Sequence, residues 1–297
     1  MITEFCIILN NNIIYCSDEN RYNTFEIILY LKDLLTNINP KNTWRLHKIA
    51  LESVHSKKET IIIKHVVLNG DQLFFCMIGK FSEFSVKCYE LLRDFQNKVE
   101  IYYKSIEILK QAHKKVLFKT IIENIVDFIL KKYEELFDNE WFEVDGMYND
   151  FKENKIIYCG ISADGLPIIY KLFNNSLFKN LDFKVNDEKR EIFISNFSSK
   201  LSTVAVNALI KANYYLKSIH IKDIEENSFK YSLFGEINGY TVEMVGMGNY
   251  FQIQKIFDEL LNALSKYEVL QNNFDGDLKP YKSLNNDIEQ IVLYVNK

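Results

Sequence analysis

Between Gly79 and Gly146 the chain holds neither glycine nor proline, although it has 10 Gly and 3 Pro in all. Apolar residues in this stretch recur at helical spacing. They are Cys88, Leu91, Leu92, Phe95, Val99 and Tyr102, then Ile106, Ile108 and Leu109, then Ile121, Ile122, Ile125, Val126, Phe128 and Ile129. The pattern predicts two or three consecutive helices with charged outer faces. Both flanks are rich in β-branched and aromatic residues and read as strands.

In the first flank, Glu4–Leu9 and Ile13–Cys16 enclose the polar Asn10-Asn11-Asn12 and form a hairpin. A helix follows from about Tyr22 to Ile38, stopped by Asn39-Pro40. Residues 44–55 read as a strand, Thr60–Leu68 as another, and Asn69-Gly70 turns the chain into Leu73–Ile78. Asn-Gly between two apolar runs is a strong hairpin signal. In the second flank, Lys155–Ser162 and Leu166–Leu172 are strands around Ala163-Asp164-Gly165. Residues 173–194 read as an insertion with a strand-like piece at Glu191–Ser195. A helix is predicted from about Ser198 to Tyr215, then strands at 217–224, 228–237 and 240–245, the last two joined by Asn238-Gly239. Gly246-Met-Gly248 leads into a helix from about Tyr250 to Tyr267. A polar loop at 271–281 and a short helix at 283–296 close the chain. Each flank therefore has the order ββ-α-βββ-α. The predicted organisation is module 1 over 1–105, a helical bridge over 106–150, module 2 over 151–270 and a tail over 271–297.

The two lone helices carry more apolar surface than one sheet face needs. With Phe25 at zero and about 100° per residue, Ile27, Ile28, Leu31, Leu34, Leu35 and Ile38 fall on one arc of about 180–300°. Tyr22, Phe25 and Leu29 fall opposite, among Glu26, Lys32 and Asp33. In the second helix Leu201, Val204, Ala205, Ala208, Leu209 and Ala212 form the core stripe, and Val206, Ile210 and Tyr214 a second one. A helix on a sheet needs a single apolar stripe. Three readings follow: the second stripes are covered by another part of this chain, they are covered by a partner, or they are scattered exposed apolar residues of the ordinary kind.

Composition narrows the class. At 297 residues, 47% hydrophobic and 26% charged, the chain can form a substantial core. Its net charge is −4, with Lys and Arg scattered, which argues against nucleic acid as a main partner. No apolar run reaches the ~18 residues of a membrane helix. Met1–Leu9 lacks a basic flank and reads as a strand, not a signal peptide. Five cysteines (6, 16, 76, 88 and 159) without CxxC spacing point to a reduced, cytoplasmic compartment.

Chemical signatures are sparse. Gly246-Met-Gly248-Asn-Tyr-Phe follows a strand and opens a helix, as a phosphate-binding turn would. However, Phe251 occupies the third glycine position, and the preceding strand belongs to an antiparallel hairpin. His47, His55, His65, His113 and His220 never fall at ligand spacing to Cys or to one another. Asp275-Gly-Asp277 lacks the remaining oxygens of a calcium loop. Neither catalytic residues, nor a cofactor site, nor a metal site is expected.

The element order, together with Gly160-Ile-Ser-Ala-Asp-Gly-Leu-Pro-Ile, resembles longin and roadblock domains over roughly 1–105 and 153–268. The resemblance implies an α/β (α+β) protein of two tandem modules, each a five-stranded antiparallel sheet with order ββ-α-βββ-α. It further implies a non-enzymatic platform in trafficking or signalling complexes. Such a platform binds a small GTPase, a partner longin or roadblock subunit, or a second copy of itself. Membrane association would be peripheral, through a partner. Tyr22, Phe25, Leu29, Val206, Ile210 and Tyr214 are the candidate partner-binding residues. The competing class is a sensor, because such modules also resemble PAS-like and profilin-like sheets that hold a small ligand; a nucleotide-binding enzyme is the third reading.

Overall fold

The computed structural model describes residues 2–39, 41–80, 86–134, 154–174 and 187–295. Its first strands are β1 (Ile2–Leu9) and β2 (Asn12–Cys16), followed by α1 (Tyr22–Ile38). Then come β3 (Trp44–Ser53), β4 (Lys58–Leu68) and β5 (Asp71–Gly79). Three helices follow: α2 (Val86–Tyr103), α3 (Ile106–Ala112) and α4 (Leu117–Lys132). The order then repeats with β6 (Lys155–Ala163), β7 (Leu166–Leu172), α5 (Asp187–Ala212), β8 (Tyr214–Asp223), β9 (Ser228–Ile237), β10 (Tyr240–Met247) and α6 (Tyr250–Leu264). α7 (Leu284–Val295) is the expected terminal helix. Gly146, the far end of the expected bridge and most of the 173–194 insertion lie outside the described residues.

The strands form one ten-stranded antiparallel sheet in the order β2-β1-β5-β4-β3-β8-β9-β10-β6-β7. From either edge the order is second, first, fifth, fourth, third within each set of five. The halves meet at β3 and β8, which pair from Trp44↔Asp223 to Ser53↔Tyr214, with register shifts at Leu46/Lys48 and Ala50/Leu51. This pairing satisfies two strand edges that would otherwise leave backbone N–H and C=O groups open. The β4–β5 and β9–β10 turns are built alike. Asn69 and Gly70 have φ of 52° and 87°, and Asn238 and Gly239 have 47° and 87°. Two left-handed residues in a row match the twist of the flanking strands, and only small or Asx-type residues adopt that geometry readily.

Both faces of the sheet are covered. On one, α1 and α5 share a core that runs across the joint. It includes Phe25, Ile28, Leu31, Leu46, Ile49, Phe74, Leu201, Ala208, Leu216, Ile219 and Phe234. On the other, α2, α3 and α4 cover the first five strands, and α6 and α7 cover the last five. The expected bridge is thus a cover as well as a connection. Phe118, Ile122, Ile125, Val126 and Ile129 join Phe5, Ile7 and Tyr15 in one cluster, and the Tyr133 hydroxyl donates to Asp94 at 2.7 Å. Each such side chain contributes roughly 1.5–3 kcal/mol when fully buried. Glu191–Ser195, expected as a strand, lies inside α5, whose described span begins at Asp187. The β-branched and aromatic run Ile192-Phe193-Ile194 imitates a strand, but its neighbours continue a helical pattern into Leu201 and Val204.

Candidate interaction surface

α1 and α5 lie side by side on the sheet, the start of α1 against the end of α5. Asn23 Nδ2 donates to Lys211 O at 3.1 Å, and the Lys211 ammonium sits 4.9 Å from the Tyr30 ring centroid. That neighbourhood widens the buried arc of α1. Phe25, expected on the open side, is wholly inside the core at 0% exposure. Its place one turn before Ile28 puts it at the rim of the core stripe, and the stripe reaches further round than one sheet face requires. Leu29 is half-buried against the same core. Tyr22 remains 42% exposed.

The α5 stripe is altered in two ways. Val206 is half-buried, because the β6–β7 turn packs under it: a Cβ on Gly165, where φ is +80°, would stand 3.2 Å from its Cγ2. Tyr214 is not helical. The helix stops at Asn213, which has φ 59° and donates its N–H to Leu209 O at 3.0 Å. Asn is among the few residues that take this left-handed cap readily, so Asn213 was the available stop signal. Tyr214 instead opens β8 and is 6% exposed. Ile210 is 72% exposed. Of the six candidates, Tyr22 and Ile210 therefore lie open, beside the Asn23–Lys211 contact, while Phe25 and Tyr214 are withdrawn into the chain.

Two polar clamps hold the joint under this surface. At one end, Trp44 Nε1 donates to Asp223 Oδ2 at 2.8 Å and Lys230 Nζ to the same oxygen at 2.6 Å. The Lys230 ammonium also lies 4.8 Å from the Trp44 ring centroid. At the other end, both guanidinium NH groups of Arg21 reach Glu59, each at 3.1 Å, and the Tyr214 hydroxyl donates to Glu59. Burial pushes both carboxyls up, but their hydrogen bonds outweigh it. Lys57, Tyr214 and Arg21 hold Glu59 below the usual carboxylate range; Lys230 does so for Asp223. Buried charges occur where they are paired and hydrogen-bonded. The sequence signal for them was an acidic or basic residue inside an otherwise apolar strand.

Other shifted groups lie on the strands of the sheet. Glu243 on β10 is wholly buried, and burial raises its pKa to about 7 against hydrogen bonds from Ser202, Ser162 and Tyr158. Burial, then neighbouring Lys48, lowers His47 to about 3. Burial, then Arg45, lowers His65 to about 3. Burial also holds His220 well below the ordinary imidazole value. These three rings are neutral near pH 7 and serve as packing and hydrogen-bonding groups. His65 Nδ1 accepts from Leu46 N at 3.2 Å. In the Gly246-Met-Gly248 turn, Gly246 lets α6 approach, since a Cβ there would stand 3.0 Å from Ile253 Cγ2. Asn249 caps α6 by accepting from Gln252 N at 3.2 Å. Among the described residues no group of three or more His, Cys, Asp or Glu is placed to hold a metal, and no helix is long and apolar enough to cross a membrane. No known family model matches the chain, and no curated protein is similar to it in sequence.

Proposed function

We propose that this chain is a cytoplasmic, non-enzymatic interaction platform of two longin/roadblock-like modules. It binds a small GTPase or a partner longin or roadblock subunit across the α1–α5 face. One observation carries the reading. Two runs of ββ-α-βββ-α meet in mirrored strand order at β3 and β8, which sets their lone helices side by side on one face. Tyr22 and Ile210, each next in sequence to a residue of the Asn23–Lys211 contact, stay outside the core, and large exposed apolar residues along such a seam favour a partner. The clamps at Asp223 and Glu59 give that face a fixed support, and a rigid scaffold lowers the entropic cost of binding.

The test is affinity capture with the full chain as bait from the lysate of its own cells, read by mass spectrometry. The reading expects a small GTPase, or a protein with longin or roadblock order, to be enriched reproducibly. Recovery of metabolic enzymes alone, or of nothing above background, would overturn it.

A further inference from the structure

Three of the five cysteines stand side by side on adjacent strands. Cys6 on β1 pairs with Cys16 on β2 and with Cys76 on β5. The two pairings are not equivalent. Ser17 N donates to Phe5 O at 3.0 Å, so Phe5 and Ser17 are a hydrogen-bonded pair, and Cys6–Cys16, one step along, is a non-hydrogen-bonded pair. Such pairs have Cα atoms about 4.5 Å apart and the closer side chains, within the roughly 4.4–6.8 Å that a disulfide spans. Asn10 N donates to Gln72 O at 2.8 Å. Alternation from there makes Cys6–Cys76 a hydrogen-bonded pair, with Cα atoms about 5.5 Å apart and diverging side chains.

Exposure separates the partners. Cys6 and Cys76 are buried, and Cys16, on the edge strand, is only partly so. The neighbouring Cys6 thiol draws the Cys16 pKa down against the opposite pull of partial burial, and the Cys16 thiol donates to Asp18 O at 3.0 Å. Burial pushes the Cys6 thiol up. A partly exposed thiol beside a second thiol on the neighbouring strand is the arrangement in which an oxidised cysteine meets a resolving one.

We propose that Cys16 and Cys6 are a reversible oxidation site that closes a disulfide across the β1–β2 hairpin when the chain meets a peroxide. The Cys16 thiolate attacks one peroxide oxygen: an S–O bond forms, the O–O bond breaks, and the leaving hydroxide takes up a proton as water. Cys6 Sγ then attacks Cys16 Sγ: the S–S bond forms, the S–O bond breaks, and the departing hydroxide leaves as water with the Cys6 proton. Two thiols lose two electrons, and the peroxide is reduced to two waters. A dithiol reductant reverses the step by thiol–disulfide exchange.

The full chain allows a direct test with hydrogen peroxide as the probe. The tryptic peptide 1–21 contains Cys6 and Cys16 and no other cysteine, while Cys76, Cys88 and Cys159 fall in other peptides. After brief peroxide treatment, alkylation and digestion, peptide 1–21 is expected to be lighter by two hydrogens and to carry no alkyl group. Dithiothreitol before alkylation should restore both sites. In Cys16→Ser, whose position is partly exposed and tolerates the change, Cys6 should resist oxidation. The proposal is overturned if Cys16 stops at the sulfinic acid, if peptide 1–21 is cross-linked to the Cys76 peptide or to a second chain, or if both thiols remain alkylatable.

Discussion

Phe74 and Glu243 hold the same place in two hairpins. Each is the fourth residue past the glycine of an Asn-Gly turn, and both lie on strands that run beneath the α1–α5 face. Phe74 stacks on His65 with centroids 4.1 Å apart, and His65 is its cross-strand partner. Glu243 has Phe234 as its cross-strand partner. The aromatic and polar members have exchanged strands between the halves. The exchange works because the second half surrounds the carboxyl with oxygens. Ser162 Oγ is 3.3 Å from Glu243 Oε1, the Tyr158 hydroxyl is 3.4 Å from Oε2, and that hydroxyl also donates to Ser198 on α5 at 2.7 Å. The first half offers Ile28, Leu31, Cys76 and Ile78 in the same core. One architecture therefore accepts either an apolar or a hydrogen-bonded interior at this point, provided the whole neighbourhood agrees.

Placing a carboxyl in the first half breaks that agreement most severely. Phe74→Glu should cost about 4 kcal/mol or more, because it removes a buried ring and leaves a charge with no oxygen-rich surroundings. Urea denaturation followed by circular dichroism measures it. A loss under about 1 kcal/mol would mean that the halves are less distinct than described.

The joint comes next. Asp223→Ala leaves the buried Lys230 ammonium with only its longer contact to Glu226 at 3.3 Å and strands the Trp44 N–H, and should cost about 3 kcal/mol. Lys230→Met in the same chain should recover part of it, since an apolar replacement of a whole buried pair is often tolerated. If the double variant is as unstable as the single, Asp223 is needed for its turn contacts with the Glu225 and Glu226 N–H groups and not for the pair.

Glu243 gives a pH-dependent contrast. Burial raises its pKa from 4.5 to about 7, so between those values the folded chain holds a proton that the unfolded chain releases. Its contribution to stability is therefore fully present below pH 4.5, falls as pH rises to 7 and is flat above. The total is about 3 kcal/mol at most by linkage. Glu243→Gln should remove this slope and gain about 1–2 kcal/mol at pH 8 relative to the parent. Melting temperatures from pH 5 to 8 read it, and parallel curves for parent and variant would contradict it. The acid side is governed elsewhere. Glu59 and Asp223 have depressed values, so their contribution is present at neutral pH and is lost as pH falls below the ordinary carboxylate range.

How much of this was legible in the sequence varies by element. Strands and turns were legible because Asn69-Gly70 and Asn238-Gly239 impose local geometry that no tertiary context needs to supply. The repeated order followed from them. The single sheet was not legible, since whether β3 and β8 pair depends on two edges far apart in the chain. Phe25 was misplaced for a related reason: a helical wheel assumes one buried direction, and α1 is buried by both the sheet and α5. Tyr214 falls on the helix only if Asn213 continues it, whereas Asn213 takes a left-handed φ of 59° and ends α5. A charged residue inside an apolar strand marks Glu59, Asp223 and Lys230 as candidates for buried pairs, but which groups pair is not legible, because Arg21, Glu59 and Tyr214 meet only after folding.

Tyr22 and Ile210 should respond least in stability and most in binding. Tyr22→Glu with Ile210→Glu changes exposed positions, so the melting behaviour should shift by no more than about 0.5 kcal/mol per site. The decisive measurement is the amount of the proposed small GTPase or longin/roadblock partner captured by this double variant and by the parent at equal folded concentration. The variant should keep its stability and lose most of the partner. Undiminished capture by a stably folded variant would contradict the claim that the α1–α5 face is the interaction surface.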